Sequence, residues 1–187
     1  MFNTNTPIQG SLLISEPFML DPNFERSVVM LCEHNEDGTV GLVLNHPSNL
    51  ILSDLLEDVQ NEKFKLHFGG PVEHNALFFL HRAYDKLLSG TNIYQDIYWG
   101  GDFERLILLI NEDLIQPTEV KFFLGYSGWS TGQLDQEIDQ NSWAVHDDYT
   151  SSLIFDNDGE DLWKRTLISL GPKYAHVANF PKSPDLN

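Results

Sequence analysis

The segment with the most specific catalytic pattern is Gly128-Trp129-Ser130-Thr131-Gly132, which matches G-x-S-x-G. In serine hydrolases this pattern places the serine on a sharp turn between a strand and a helix, where its hydroxyl can attack an acyl carbon. An acid and then a histidine must follow, and Asp156 or Asp158 followed by His176 has that order. The chain after Ser130 is too short for the remaining elements of that fold, and a helix N-cap is a sufficient role for Ser130. We therefore favour the structural role.

A second possible centre is Cys32 with its neighbours Glu33 and His34. Alternation along a strand would place the side chains of Cys32 and His34 on one face, and a Cys–His pair can form a reactive thiolate. The commoner outcome is a buried cysteine that packs as a small apolar side chain. Both alternatives stay open at this stage. Because Cys32 is the only cysteine, no intramolecular disulfide can form, and an oxidising compartment is not indicated.

Patterns for metals and cofactors are missing from the sequence. The seven histidines include no H-E-x-x-H or other close ligand pair; they are His34, His46, His67, His74, His81, His146 and His176. Two Asp/Asn-rich loops place Leu44 and Arg165 where an EF-hand needs its bidentate glutamate. No phosphate-binding loop and no G-x-G-x-x-G is present. We expect neither a metal nor a cofactor.

Two further features allow a binding role beside a structural one. Gly69-Gly70-Pro71 is typical of a tight turn, in which glycine supplies unusual backbone angles and proline ends a strand. The backbone amides of such a turn could instead hold an anion. Trp129 is a core residue by default, but the run Gly125-Tyr126-Ser127-Gly128 before it could present its ring at the surface.

Short apolar runs rich in β-branched and aromatic residues predict the strands that must position these side chains. They cover residues 11–15, 27–33, 40–45, 66–68, 76–81, 93–99, 120–126 and 151–155. The polar segment 34–38 is suited to closing a hairpin. Several strands are almost continuously apolar, which indicates a sheet covered on both faces.

Four helices are expected, and each has its own signal. The first, at 53–59, places Leu55, Leu56 and Val59 on one side. The second starts at Asp102 as N-cap, and its run 106–110 is apolar all round and predicts a buried helix. The third starts at Ser130 with the capping box Ser130-x-x-Gln133, with Leu134 and Ile138 facing the core. The fourth, at 160–170, opens with two acids and ends at Gly171-Pro172.

Length and charge limit the function classes. The 187 residues suit one domain, which we place at 1–172, followed by a loosely packed tail at 173–187. With 11 basic and 28 acidic residues the net charge is −17, which argues against a dedicated nucleic-acid binder and against adsorption to anionic membranes. The N-terminus lacks a signal-peptide pattern and the longest apolar run is too short to span a bilayer. We expect a cytoplasmic protein.

One stretch is unusually acidic. Between Lys121 and Lys164 there is no lysine or arginine, while nine acids occur from Asp135 to Asp161. Such a stretch is typical of a solvated face that keeps a protein soluble. The alternative is a docking surface for a basic partner.

Segments spread over about residues 8–171 together resemble the YqgE/AlgH family of bacterial proteins. The earlier ones are Gly10-Ser11-Leu12-Leu13-Ile14, Pro22-x-Phe24-x-Arg26-Ser27-Val28-Val29, Cys32-Glu33-His34-Asn35-x-x-Gly38 and Gly41-Leu42-Val43-Leu44-Asn45-x-Pro47. The later ones are Gly69-Gly70-Pro71-Val72, Leu80-His81, Gly125-Tyr126-Ser127-Gly128-Trp129-x-x-Gly132-Gln133-Leu134-x-x-Glu137-Ile138, Trp143 and Leu162-Trp163. One departure is His46, where the family pattern favours arginine. Ser130 is not among the residues that carry the resemblance.

The resemblance implies an α+β fold: a single compact domain with a large mixed, mainly antiparallel β-sheet flanked by about four helices. It brings a transcriptional-regulator label and no assigned catalytic residues. We therefore expect a non-enzymatic interaction or regulatory protein that works through a protein partner. The alternative is a small-molecule binder or hydrolase-type enzyme with chemistry near Cys32 and His34. The candidate binding residues lie at predicted strand ends and turns; they are Glu33, His34, Asn45, Gly69, Gly70, Trp129 and Gln133.

Overall fold

Ten strands form one continuous sheet in the computed structural model of the chain, which describes residues 5–182. The strands are β1 (Leu12–Ser15), β2 (Val28–Asn35), β3 (Gly38–Val43), β4 (Pro47–Ile51), β5 (Lys65–Phe68), β6 (Val72–His81), β7 (Thr91–Tyr94), β8 (Ile97–Trp99), β9 (Val120–Ser130) and β10 (Trp143–His146). The helices are α1 (Leu52–Leu55), α2 (Tyr84–Leu87), α3 (Phe103–Asn111), α4 (Gln133–Asp139), α5 (Ser151–Phe155), α6 (Gly159–Ser169) and α7 (Pro172–Ala175). The expectations for residues 1–4 and 183–187 lie outside the described residues.

The long strand β9 connects the two halves of the sheet. The strand order is β10-β1-β2-β3-β9-β6-β8-β7, and β5 also pairs with β9 and with β4. The C-terminal part of β9 pairs with β3, whereas its N-terminal part lies between β5 and β6. All pairs are antiparallel except β5 with β9. The expected mixed, mainly antiparallel sheet of an α+β domain is confirmed.

Three clusters of buried side chains form the core. Along β1, Leu12 and Ile14 belong to the cluster covered by α5, α6 and α7, whereas Leu13 belongs to the cluster covered by α4. The third cluster lies between β5, β6 and β9 and the helices α1, α2 and α3. Successive side chains of β1 therefore point into different clusters on opposite faces of the sheet. Because both faces are buried, both carry apolar side chains. This explains the nearly continuous apolar runs that the sequence shows.

The β2–β3 hairpin is confirmed and has a local cause. Its two-residue loop is Glu36-Asp37, and the Asp37 N–H donates to the Asn35 side-chain oxygen at 2.9 Å. Gly38 follows with a φ of +143°, which only glycine adopts readily. The chain therefore reverses at the predicted position, and the hairpin end projects beside the end of β9.

Two predicted strands are wrong in the structure. Residues 93–99 form the hairpin β7–β8, because Gln95 takes a φ of +44° and the Asn92 side chain donates to the Gln95 carbonyl at 2.7 Å. Residues 151–155 form helix α5, in which Ile154 and Phe155 are buried against the core. Tertiary packing outweighs the β propensity of this short apolar run.

Two strands were not predicted, and both pair on one side only within the described part of the chain. β4 begins at Pro47, which lacks an N–H and is tolerated at an edge, and it pairs with β5. β10 is four residues long and pairs with β1. Neither segment has the length or the alternation that would predict a strand.

The four expected helices are present as α1, α3, α4 and α6, together with three helices of four or five residues. α1 ends at Leu55, earlier than expected. Asp102 is the N-cap of α3 and accepts from the Arg105 N–H at 3.0 Å. The prediction that α3 is buried all round is wrong, because Leu108 is 62% exposed. α6 begins beside Asp158 and ends before Gly171, close to its expected bounds.

The segment after Gly171 packs more closely than its sequence suggests. It forms α7 and a 3-10 turn at Val177–Asn179, and Tyr174 and Ala178 are buried in the cluster covered by α6. Among the helices of residues 5–182, none is long and apolar enough to cross a bilayer.

Candidate functional site

Ser130 is the last residue of β9 and pairs with Gly38 of β3. Helix α4 begins three residues later, with Gly132 as its N-cap residue. The Gln133 side chain accepts hydrogen bonds from the Ser130 N–H at 3.0 Å and from the Ser130 hydroxyl at 3.3 Å. The predicted N-cap at Ser130 is therefore wrong, because pairing with β3 keeps this residue in the strand.

The catalytic partners that a hydrolase would need are engaged elsewhere. Asp158 hydrogen-bonds His67 at 2.8 Å, and the ring of His176 packs against Phe180. Within residues 5–182, no hydrogen bond joins Ser130 to Asp156, Asp158 or His176. The arrangement is not that of a Ser-His-Asp triad.

Cys32 is fully buried in the core cluster covered by α6, and its Sγ lies 3.9 Å from the Met30 carbonyl. The pairing register of β2 and β3 shifts between Leu31 and Glu33. The His34 ring hydrogen-bonds the Thr39 hydroxyl at 2.7 Å. Burial, with a smaller contribution from the charge of Glu33, raises the pKa of the Cys32 thiol far above its ordinary value. The thiol is therefore protonated at neutral pH, and a reactive Cys32–His34 pair is not formed.

Trp129 is buried and does not present its ring at the surface. Its indole N–H donates to Glu137 at 2.9 Å, and the indole N–H of Trp143 donates to the same carboxylate oxygen at 2.8 Å. The Gln133 side chain donates to the other oxygen of Glu137 at 3.0 Å. Phe24 packs against both tryptophan rings. Glu137 on α4 is thus the acceptor that holds both tryptophans, a connection that the sequence did not predict.

Asn45 bridges three segments of the fold. Its side-chain oxygen accepts from the Val28 N–H at 2.8 Å, and its amide donates to the carbonyls of Arg26 and Gly159 at 2.8 and 2.9 Å. These bonds use both N–H donors and one acceptor position of the amide, and they tie β2 to the start of α6. Its neighbour His46 hydrogen-bonds the Glu25 carbonyl at 3.0 Å, and burial lowers the pKa of His46.

Gly69 and Gly70 connect β5 to β6 against the backbone of β9. The Gly69 N–H donates to the Leu124 carbonyl at 2.8 Å, so this amide is not free to hold an anion. A Cβ on Gly69 would lie 2.3 Å from the Gly125 carbonyl oxygen, and one on Gly70 would lie 2.3 Å from the Tyr126 backbone. The position requires glycine because two backbones approach closely there.

Two open clefts meet at the end of the β2–β3 hairpin, and we call them the hairpin clefts. One, of about 450 Å³, includes Glu33, Asp37 and Trp129 in its lining, and the other, of about 290 Å³, includes His34 and Asp135. They share four lining residues, which are Asn35, Gly38, Thr39 and Ser130. The structure thus brings Glu33, His34 and Trp129 together. Gln133 adjoins them through Ser130, whereas Asn45, Gly69 and Gly70 do not line these clefts.

Each hairpin cleft is lined by two acidic side chains. The first cleft is lined by Glu33 and Asp37 and the second by Glu36 and Asp135, with no lysine or arginine in either lining. None of these four side chains forms an ion pair with another described residue. Unpaired carboxylates around a concave surface attract a cationic group.

The acidic stretch 135–161 does not form one uniform face. Asp156 pairs with Arg82 at 2.7 Å, and Asp161 pairs with Arg165 at 2.6 Å. Glu137 holds the two tryptophans, as described above. Asp135 alone of these nine acids lines a hairpin cleft. A docking role for this stretch therefore rests on Asp135 together with Glu33, Glu36 and Asp37 of the β2–β3 hairpin.

A second cluster was missed by the sequence analysis. His67 on β5, Lys121 on β9 and Asp158 at the start of α6 line a cleft of about 280 Å³, which we call the Lys121 cleft. His67 and Lys121 are buried, and the Asp158 carboxylate hydrogen-bonds His67 at 2.8 Å and lies 4.0 Å from the Lys121 Nζ. The available signal was a lysine inside the apolar run 120–126, because a charged side chain in a buried strand needs a compensating partner.

Burial and pairing shift the ionisation of this cluster. Burial opposes ionisation of Asp158, but the hydrogen bond from His67 and the charge of Lys121 outweigh it and lower the pKa of Asp158 to about 2. Burial lowers the pKa of Lys121, and the charge of Asp158 only partly offsets this. Among residues 5–182, no group of three or more His, Cys, Asp or Glu side chains could hold a metal ion.

Comparison with known proteins agrees with the fold described above. Residues 12–175 match the family model DUF179, described as AlgH-like. A UPF0301 protein of Cytophaga hutchinsonii is 42% identical over 180 residues, covering 96% of this chain and 98% of the relative. A UPF0301 protein of Chlorobium limicola is 40% identical over 178 residues, covering 95% of each.

Two solved structures have the same fold. The solution structure of the AlgH protein from Pseudomonas aeruginosa has a TM-score of 0.72 and 28% identity, covering 95% of this chain and 97% of that one. A crystal structure of a Corynebacterium diphtheriae protein has a TM-score of 0.74 and covers 94% of each chain, and at 23% identity it supports the fold alone. On the family match and the two relatives, the chain belongs to the AlgH-like family.

Proposed function

We propose that this protein is a non-enzymatic interaction module that binds a basic segment of a partner protein in the hairpin clefts. The observation that carries the proposal is the set of four unpaired acids around these clefts, Glu33, Glu36, Asp37 and Asp135. A lysine- or arginine-rich segment laid across the hairpin end would meet negative charge on both sides of it. The described lining contains no lysine or arginine to compete with that segment.

The stiffness of the surroundings supports a binding role. β3 pairs with β2 on one side and β9 on the other, and Trp129 behind the first cleft is fixed by its hydrogen bond to Glu137. A surface held in this way loses little conformational entropy when a partner binds. The alternative, thiolate or hydrolase chemistry near Cys32 and His34, has less support because the pKa of Cys32 is strongly raised and Ser130 bonds Gln133.

The whole-chain charge favours a protein over a nucleic acid as the partner. At a net charge of −17, phosphate backbones are repelled rather than attracted. The transcriptional-regulator label that the family resemblance brings would then describe an indirect effect exerted through a bound protein.

The proposal is tested by cross-linked capture of tagged protein from a nuclease-treated native lysate, identified by mass spectrometry. The variant Glu33→Gln/Glu36→Gln/Asp37→Asn/Asp135→Asn removes four charges from the hairpin clefts. The matched control Glu57→Gln/Glu62→Gln/Asp139→Asn/Asp148→Asn removes four charges from exposed acids elsewhere. We expect a recurrent partner with wild type and the control, and its capture should fall about tenfold or more with the first variant. Equal capture by both variants, or none by wild type, would overturn the proposal.

A further inference from the structure

The Lys121 cleft combines buried cationic and polar groups with an apolar wall. Lys121 is 7% exposed, and its Nζ donates to the carbonyls of Asn157 and Leu44 at 3.1 and 3.4 Å. The apolar part of the lining comes from Phe64, Val120 and Phe155. Small-molecule sites commonly combine an apolar wall with a few fixed polar groups, and about 280 Å³ suits a small ligand.

The charges of this cleft do not cancel. Lys63 at the rim pairs with Asp113 at 3.0 Å, and Asp156 pairs with Arg82 at 2.7 Å. Lys65 lines the cleft, is exposed and has no ion-pair partner among the described residues. Besides these two pairs, the cleft is lined by two lysines, Lys65 and Lys121, and one carboxylate, Asp158, which leaves one positive charge in excess.

The buried groups of the cleft are also incompletely satisfied. The nearest carboxylate oxygen to the Lys121 ammonium is 4.0 Å away, beyond hydrogen-bond distance. His67 is 4% exposed, and its Nδ1 has no hydrogen-bond partner among residues 5–182. Buried polar groups without partners are rare in native proteins, and each one calls for an explanation such as a bound group that completes its hydrogen bonds. The lowered pKa of Lys121, caused by burial, agrees with an ammonium that lacks full compensation.

We infer that the Lys121 cleft binds a small organic carboxylate, with its anionic group at Lys65 and Lys121 and its apolar part against Phe64, Val120 and Phe155. One excess positive charge matches a singly charged group, whereas a phosphate dianion would meet the carboxylate of Asp158 with an uncompensated charge. This inference concerns a site distinct from the hairpin clefts and does not depend on the proposed function.

The inference is tested by titrating the folded protein with benzoate while recording backbone amide NMR shifts and isothermal calorimetry. Benzyl alcohol supplies the same ring without the charge, and inorganic phosphate supplies an anion without the ring. We expect saturable benzoate binding with a Kd of about 1 mM, shifts confined to residues 63–67, 118–121 and 155–158, and at least about tenfold weaker binding of both comparison compounds.

Lys65→Gln should weaken benzoate binding about fivefold to tenfold, because it removes one charge of the site. Lys65 is exposed, so this variant should fold normally. Lys121→Gln, which keeps a donor for the Asn157 carbonyl, should weaken binding further, and Lys173→Gln, on α7, is the control. The inference is overturned if benzoate does not saturate the protein, if benzyl alcohol or phosphate binds as tightly, or if Lys65→Gln binds as the control does.

Discussion

Cys32, Glu137 and Asp158 show how the surroundings of a side chain decide its role in this protein. Cys32 has the residue type and the neighbour for covalent chemistry, yet it lies at zero exposure among apolar side chains. In the sequence, Glu137 is one of the nine acids of the stretch 135–161, yet in the structure it accepts hydrogen bonds from two buried indoles. Asp158 is the N-cap of α6 and also the partner of His67 and Lys121.

Cys32 should be unreactive in the folded protein. Because the thiolate is the reactive species and burial raises the pKa of Cys32, labelling by iodoacetamide at neutral pH should be at least about 100-fold slower than in concentrated urea. Mass spectrometry of timed samples measures both rates. Rapid labelling of the native protein would show that Cys32 is accessible and would restore the thiolate hypothesis.

Removal of Glu137 should destabilise the domain. Glu137→Ala leaves the indole N–H groups of Trp129 and Trp143 without their acceptor, so the free energy of unfolding should fall by about 2–4 kcal/mol. Urea denaturation followed by tryptophan fluorescence measures the loss. Asp139→Ala, an exposed acid on the same helix, is the control and should cost less than about 0.5 kcal/mol. Similar losses in the two variants would contradict the role assigned to Glu137.

Asp158 should stabilise the fold in a pH-dependent way. Its folded-state pKa is about 2, below the ordinary value of 3.8, so ionised Asp158 favours the folded state above 3.8, and this contribution is lost as pH falls through about 2. Asp158→Asn keeps an N-cap side chain but removes the charge. Because the carboxylate is 40% exposed and screened by solvent, the variant should be less stable by only about 1 kcal/mol at neutral pH.

The difference between wild type and Asp158→Asn should shrink as pH falls towards 2, which urea denaturation at a series of pH values would show. A difference that stays constant down to that pH would mean that the charge of Asp158 contributes nothing beyond the N-cap hydrogen bond.

The geometry of the β5–β6 connection depends on glycine. Gly70 has a φ of +153°, and a Cβ there would lie 2.3 Å from both the Ser127 hydroxyl and the Tyr126 backbone. Gly70→Ala should therefore lower the free energy of unfolding by about 3 kcal/mol or more. Gly128→Ala is the matched control, since its Cβ meets only the Tyr126 ring at 3.5 Å. Thermal unfolding that ranks the two variants equally would contradict this account.

Elements with strong local signals could be predicted from the sequence. The β2–β3 hairpin has a polar two-residue loop followed by Gly38, and α6 has acids at its start and Gly171-Pro172 after its end. β4 and β10 lack such signals. Their extended conformation is set by backbone pairing with β5 and β1 rather than by a pattern in their own residues. Residues 151–155 have an apolar composition that suits a strand or a helix, and packing against the core selects the helix.

The candidate sites were predictable to different extents. Glu33 and His34 lie on a predicted hairpin, and in the structure they line clefts at its end; their role in binding stays a prediction. In the Lys121 cleft, a lysine within an apolar run signals a buried charge but does not identify its partners, because His67 and Asp158 are 91 residues apart and meet only through the parallel pairing of β5 with β9 and the placement of α6. Long-range pairing of this kind leaves no local pattern in the sequence.

The distribution of charge over the whole molecule determines which partners it can attract. The hairpin clefts contain unpaired acids, whereas the Lys121 cleft carries a small positive excess within a chain of net charge −17. A basic protein segment and a small carboxylate would therefore bind at different places. Both interactions should weaken as ionic strength rises, since exposed charges contribute to each.

Direct nucleic-acid binding should be absent. Fluorescence anisotropy with labelled duplex DNA at physiological salt should show no binding tighter than about 1 μM, because the chain has 11 basic residues against 28 acidic ones. Tight binding with the steep salt dependence of phosphate contacts would contradict the indirect route proposed for any effect on transcription.

Photo-cross-linking inside living cells tests directly whether a basic protein segment binds at the hairpin clefts, with a photoreactive amino acid at position 131 in one strain and at position 62 in another. Thr131 is exposed and lines a hairpin cleft without being one of its four acids, whereas Glu62 is exposed elsewhere. We predict a protein cross-linked from position 131 through a lysine- or arginine-rich peptide, and loss of that product when Glu33→Gln and Asp135→Asn are added. The same products at both positions, or none at position 131, would contradict the proposal.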